Sequence, residues 1–325
     1  MGTFRSLSAD AVRTILASFG LDEGSYRGHS AIAAGTINTN LAVDTARGRF
    51  FLRVNEGKAR ADVEREAAII THVAARGVAT PVPLPARDGA PLFDWNGSFV
   101  SLFPFVDGRT LARAEVGPAH ARAAGAALAR LHVAGADFPD HRPGRYEPDE
   151  IRRRLTRVAA LAITDPVLAA AVAVLGPELD RLEGERVAGL PVGLIHGDLF
   201  IDNVLYTEPA EVAALLDFEQ ASWGRLDYDL AVSVLAFGFG RDDFRPDVTR
   251  AVLEGYRAVR PLTAAECGGL GAELRFAACR FAVTRITDVY LRRQAGAPAG
   301  KDFHRYLLRL RRVREHLAAG DLLIL

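Results

Sequence analysis

Two aspartates and an asparagine within one short stretch carry the strongest chemical signal in the chain. The stretch runs LIHGDLFIDN from Leu194 to Asn203 and resumes as ALLDFEQ, ending at Gln220. Asp198 precedes Asn203 by five residues, and Asp217 stands behind an apolar run, Ala213 to Leu216. A carboxylate in apolar surroundings is costly unless it is paired or bound to a metal. Amide and carboxylate oxygens suit a hard divalent cation such as Mg2+, and a separate carboxylate suits removal of a proton from a hydroxyl. This is the spacing of a phosphotransferase catalytic loop, with Asp198 beside the acceptor hydroxyl and Asn203 and Asp217 as ligands of the Mg2+ that bridges nucleotide phosphates. A plain polar turn would give Asp198 and Asp202 turn hydrogen bonds; it leaves Asn203 and Asp217 unexplained.

The elements that must hold these residues follow from periodicity. Ser8 to Phe19 has the spacing of a short amphipathic helix with Ser8 as N-cap. Residues 28–56 alternate as strands around a turn at Ala46, Arg47 and Gly48, and Asp62 to Ala75 returns to helical spacing. A further strand is expected from Gly97 to Val106. Beyond Pro104 the chain becomes alanine-rich and helical, interrupted only by a β-hairpin expected from Leu194 to Asp217. The expected architecture is α+β in two lobes: a small β-rich lobe, residues 1–104, for the nucleotide, and a larger, mostly helical lobe, residues 105–325, for catalysis and substrate, with a hinge near Pro104.

In the small lobe, Gly35, Thr36, Asn38 and Thr39 lie in a turn (GTINTN) whose glycine and short polar side chains would let backbone N–H groups approach phosphate oxygens. Kinases also place a strand cation on the α- and β-phosphates and hold it with a helix glutamate. The strand RFFLRV has no lysine; Arg53 is its candidate cation, with Lys58 just beyond its end, and EREAAII, which resembles the corresponding helix of related kinases, implies Glu66 as its partner ahead of Glu64.

Beyond these local patterns, HGDLFIDN followed by LLDFE resembles the aminoglycoside phosphotransferase/choline kinase superfamily over nearly the whole chain. That resemblance implies a protein-kinase-like fold and ATP with Mg2+ as cofactors. It also gives DYDLA, Asp227 to Ala231, as the segment whose Asp229 braces the catalytic loop; His196, within that loop, and His132, closing LARLH, are read as structural. Within the superfamily the chain is most similar to the homoserine kinases of threonine biosynthesis. AAGTINTNLAVDTARGRFFL, GYRAVRPLTAAE and RFAVTRITD with KDFHRYLLRLRRVREH carry that likeness. The implied acceptor is L-homoserine; an aminoglycoside, a choline-like alcohol or a sugar is the alternative. Two departures stand out: Gly197 replaces the alanine usual after the loop histidine, and Glu219-Gln220 replaces an aromatic usual after the metal aspartate. Homoserine needs a cation for its carboxylate and an acceptor for its ammonium. Helical spacing nominates Arg280 or Arg285 for the first and Asp288 for the second, although salt bridging within the helix would use the same residues.

Composition sets the remaining bounds. In 325 residues, 40 Lys and Arg balance 40 Asp and Glu, so no nucleic-acid surface is expected. The only lysines are Lys58 and Lys301. Two cysteines are too few for a disulfide framework, and Asp165 and Pro166 break the most apolar stretch, so no membrane span is expected. A cytoplasmic enzyme of small molecules is the expectation.

Overall fold

The structure, a computed structural model, describes residues 6–32, 38–294 and 302–320. The chain divides into two compact units, residues 1–108 and 109–325. The division lies at Gly108 rather than Pro104 because the intervening residues hold to the first unit. The Phe105 N–H donates to the Arg49 carbonyl (3.2 Å), and the Arg49 guanidinium lies over the Phe105 ring at 4.3 Å.

The first unit opens with α1 (Ala9–Ser18), whose N-cap Ser8 accepts the Ala11 N–H at 3.2 Å. Three strands follow, β1 (Tyr26–Ala31), β2 (Thr39–Thr45) and β3 (Gly48–Asn55), then α2 (Arg60–Ala74), β4 (Phe93–Trp95) and β5 (Ser98–Pro104). The five strands form one antiparallel sheet in the order β1-β2-β3-β5-β4. Alternation along β3 sends Leu52 and Val54 to one face, where they pack with Val12, Ile15 and Leu16 of α1 and Val100 and Leu102 of β5. The opposite face receives Phe51, Arg53 and Asn55, so one strand supplies both the core and the face that carries Arg53.

The second unit contains α3 (Pro118–Ala134), α4 (Pro148–Leu161), α5 (Pro166–Glu185), β6 (Val192–Ile195), β7 (Val204–Thr207), β8 (Glu211–Leu215) and β9 (Ser222–Arg225). Helices complete it: α6 (Leu226–Ser233), α7 (Pro246–Val259), α8 (Ala264–Arg285), α9 (Leu291–Gln294) and α10 (His304–Ala319). The hairpin read from Leu194 to Asp217 is in fact two nested pairs. β7 pairs with β8, whereas β6 pairs with β9 outside them. The sequence of β9, SWGR, is short and lacks alternation, so its pairing gave no periodic signal.

Helices α3 and α7 cross with Gly125 facing the Val252 carbonyl and Gly255 facing the Arg122 carbonyl; a Cβ on either glycine would collide with backbone. The two helices therefore approach closely, which seats His132 of α3 against Tyr256 of α7. Among the described residues no helix is long and apolar enough to cross a membrane, and Cys267 and Cys279 are free thiols.

Candidate active site

In the second unit the loop between β6 and β7 is fixed from behind. Asp229, wholly buried in α6, accepts the backbone N–H groups of His196 (Oδ2, 2.7 Å) and Gly197 (Oδ1, 2.8 Å). The same carboxylate meets His132 Nε2 at 3.0 Å, and His132 Nδ1 meets the Tyr256 hydroxyl at 2.7 Å. Burial alone would push the Asp229 carboxyl up, but His132 and the loop donors outweigh it and hold the group below the usual carboxylate range. Asp229 lies inside α6, whose N-cap is Arg225, so it caps no helix. His196 faces Leu216, its Nε2 donating to that carbonyl at 2.9 Å, and its buried Nδ1 has no partner.

The loop then turns outward. Gly197 has φ +75°, and a Cβ there would come within 2.9 Å of the Gln220 carbonyl oxygen. Asp198 follows, with its side chain 30% exposed. A single 3-10 turn over Ile201–Asn203 brings Asn203 back, and its Nδ2 donates to the Asp198 carbonyl at 2.8 Å. Leu216 N–H donates to Asn203 O at 2.9 Å, which sets the next residue, Asp217, beside the loop. Asp217 adopts φ 62° and ψ 71°, a left-handed conformation that costs a non-glycine residue and is retained chiefly where function requires it. With its amide nitrogen engaged, Asn203 has Oδ1 left to offer, and the exposed Asp217 adds a carboxylate. Two oxygen donors of this kind fit Mg2+, which keeps waters and phosphate oxygens in its remaining positions.

Arg280 of α8 is 4% exposed, and its guanidinium lies over the rings of Tyr146 (4.2 Å) and Phe281 (3.8 Å), with Nη1 3.8 Å from Asp198 Oδ1. It lines a small cavity with Tyr146, Gly197 and Gln220. Arg285 is directed elsewhere, into a cavity of about 290 Å3 bordered by Phe200, Ile201 and Asp202 of the loop between β6 and β7. Asp288 joins neither cavity. It lies in a π-helical turn, Ile286–Tyr290, whose wider winding takes it off the face shared by Arg280 and Thr284. There it pairs with Arg154 of α4 at 2.9 Å and with the Thr287 hydroxyl at 3.0 Å. The expected i, i+4, i+8 substrate face is therefore not formed.

Arg113, Arg305, Tyr306 and Arg309 also line the larger cavity, and sequence reasoning passed over all four. The signal was present for Arg309, because α10 buries Tyr306, Leu310 and Val313 on one stripe and Arg309 falls within it.

In the first unit, Glu66 of α2 is 8% exposed and holds two cations: Arg53 Nη1 at 2.9 Å on Oε1 and Lys58 Nζ at 3.1 Å on Oε2. Glu64 instead pairs with Arg60 on the helix surface. α2 presents Val63, Glu66, Ala67 and Ile70 toward Arg53, Asn55 and Ser101, and Asn55 Nδ2 donates to Phe99 O and Ser101 Oγ, both at 3.1 Å. Asn38 Oδ1 accepts the Glu56 N–H at 3.3 Å, and the Thr39 hydroxyl donates to Glu56 Oε1 at 3.3 Å. Gly35 and Thr36 lie outside the described residues.

Residues 28–262 match the model of the phosphotransferase enzyme family. A homoserine kinase of Rhizobium etli (strain CIAT 652) is 33% identical over 324 residues, 99% of this chain and 98% of that protein. A homoserine kinase of Methylorubrum populi is 37% identical over 291 residues, covering 89% and 88%. The chain belongs to the homoserine kinases of the phosphotransferase enzyme family. Its two-unit α+β fold is kinase-like: a spectinomycin phosphotransferase solved with ADP and spectinomycin superposes with a TM-score of 0.68 at 14% identity, over 98% of this chain and 97% of that one. The homoserine kinase likeness extends beyond the family match, through α8 and α10.

Proposed function

We propose that this homoserine kinase transfers the γ-phosphoryl group of ATP to the side-chain hydroxyl of L-homoserine, giving O-phospho-L-homoserine and ADP, a step of threonine biosynthesis. The observation that carries the reading is identity of 33% to homoserine kinases over 99% of the chain.

In the second unit, Asp198 accepts the hydroxyl proton as the alcohol oxygen bonds to phosphorus and the bond to the ADP oxygen breaks. Its position is held by Asn203 on its carbonyl and by Asp229 behind the preceding two residues. Asn203 and Asp217 would hold Mg2+, which when bound offsets the negative charge of the phosphates. In the first unit, Arg53 and Lys58, fixed by Glu66, are the cations for the phosphates, together with the turn from Gly35 and Thr36 to Asn38 and Thr39. Orientation and charge stabilisation, with no covalent intermediate, supply the rate. An aminoglycoside or choline-like acceptor is cationic, and the arginines beside the catalytic loop repel such a charge.

The test is ADP release with ATP and Mg2+ against L-homoserine, choline, kanamycin and amino sugars. Turnover is expected with L-homoserine, with Asp198→Asn lowering kcat by about 10^2- to 10^4-fold. Turnover with another alcohol and none with homoserine would overturn the acceptor; undiminished turnover in Asp198→Asn would overturn the role of that residue.

A further inference from the structure

The cavity of about 290 Å3 that borders Phe200, Ile201 and Asp202 gathers four guanidinium groups, Arg113, Arg285, Arg305 and Arg309, against two carboxylates, Asp202 and Asp302. Among the described residues none of the four has a carboxylate within 4.0 Å. Three are held by backbone oxygens instead. Arg113 Nη1 donates to Ala236 O (2.7 Å) and Phe239 O (2.5 Å), Arg309 Nε to Leu235 O (3.3 Å), and Arg285 Nη1 to Asp302 O (3.3 Å). Two of these carbonyls, Leu235 and Ala236, belong to the π-helical turn Val234–Gly238 that follows α6. Carbonyls satisfy the N–H groups but leave the net charge in place.

That charge is carried at a cost. Arg309 is 2% exposed, and burial, with Arg113, Arg305 and Arg285 nearby, pulls its pKa down to about 10. A buried cation without a counter-charge is unfavourable by itself. A second, independent feature marks the same wall: Tyr306 is 1% exposed, and its hydroxyl has no hydrogen-bond partner. The Arg285 and Arg309 guanidiniums lie over its ring at 4.3 and 4.7 Å. Tyr306 also stacks on Phe281, which meets Phe200 of the catalytic loop edge-on, each at 5.0 Å. A cation cluster in excess over its carboxylates and an orphaned donor on one wall call for the same ligand, an anion with oxygen acceptors.

We infer that this cavity is the subsite for the α-carboxylate of the acceptor, with Arg285, Arg309 and the Tyr306 hydroxyl as its donors and Arg113 and Arg305 supplying charge. The inference rests on the proposed acceptor and deepens it, since these residues would separate a hydroxy amino acid from a simple amino alcohol. The selectivity would follow from unpaired cations left behind when the carboxylate is missing.

The experiment compares L-homoserine with 3-aminopropan-1-ol, the same molecule without its carboxylate, in wild type, Arg305→Ala, Arg285→Met and Tyr306→Phe. Arg305 is exposed and Tyr306→Phe removes only an unpartnered hydroxyl, so neither variant endangers the fold. Each variant is expected to reduce the ratio of kcat/KM values by about tenfold or more, the loss appearing mainly in KM for homoserine. Equal losses for both alcohols, or an unchanged ratio, would overturn the subsite. A wild type that does not phosphorylate homoserine would overturn the acceptor instead. Calorimetric binding of 4-hydroxybutyrate then decides the subsite by itself: binding lost in Arg285→Met supports it, and no binding to wild type overturns it.

Discussion

His132 Nε2 lies 3.0 Å from Asp229 Oδ2 with both side chains fully buried, and that one carboxylate also takes the backbone N–H groups ahead of Asp198. A group on α3 therefore sets the charge state of the anchor for a loop 64 residues later. Because the Asp229 pKa is held below its ordinary value, its contribution is fully present above the unfolded carboxylate pKa of about 4 and is lost as pH falls through the lower folded value. Asp229→Asn is expected to lower stability at neutral pH and flatten the acid limb of the stability curve. Urea denaturation of both proteins between pH 3 and 7, a range chosen around that value of about 4, checks this; parallel acid limbs would refute it.

Glu66 sits between two cations with only 8% of its surface exposed. Removing it leaves Arg53 and Lys58 without their shared counter-charge, which typically costs about 3–5 kcal/mol for a buried pair. Exposure of about a seventh of each cation's side chain places Glu66→Ala at the lower end. Its KM for ATP should also rise by about tenfold, as it should in Lys58→Met and Arg53→Met. Nucleotide titration distinguishes the two cations: an unchanged KM in one variant would leave the phosphates to the other.

Gly197 follows the loop histidine, and the backbone gives a reason for glycine there. At φ +75° an alanine costs about 1–2 kcal/mol, and its Cβ would press on the Gln220 carbonyl at 2.9 Å. Gly197→Ala is expected to lose about that much stability and, through the adjacent Asp198, to lower kcat more than it alters KM. A variant with wild-type melting temperature and kcat would remove this account.

How much of this was legible in the sequence depends on where each partner lies along the chain. Ser8 could be read from capping and Arg53 from strand position, Glu66 followed from the resemblance of EREAAII to related kinases, and HGDLFIDN with Asp217 declared the loop. Other tertiary pairings were not legible. β9 joins β6 across the whole β7–β8 hairpin, Lys58 reaches Glu66 from beyond the strand, and a π-helical turn moves Asp288 from the expected face to Arg154. The arginine cavity draws on α10 and on residues near positions 113, 200 and 285, so no single window of sequence contained it.

Asp288 supplies the corresponding negative prediction. Its carboxylate is taken by Arg154 and Thr287 and is 38% exposed. Asp288→Asn should cost at most about 1 kcal/mol and leave KM for homoserine within about twofold, the ordinary consequence of a surface change away from a site. A larger rise in KM would return Asp288 to the substrate site.

Asn203 has two duties that substitution can separate. Its Nδ2 holds the Asp198 carbonyl at 2.8 Å, and its Oδ1 is the oxygen proposed for Mg2+. Asn203→Ala loses both, so kcat should fall by about 10^2-fold or more and the Mg2+ concentration for half-maximal rate should rise. Asn203→Asp keeps an oxygen for the metal but loses the donor to Asp198, and its added charge strengthens metal binding while repelling the phosphates. It should therefore retain near-normal Mg2+ dependence with a depressed kcat. Rates measured across a Mg2+ titration separate the two variants: identical shifts in metal requirement would show that the amide oxygen is not a ligand, whereas an unaffected kcat in Asn203→Asp would show that the bond to Asp198 does not position it.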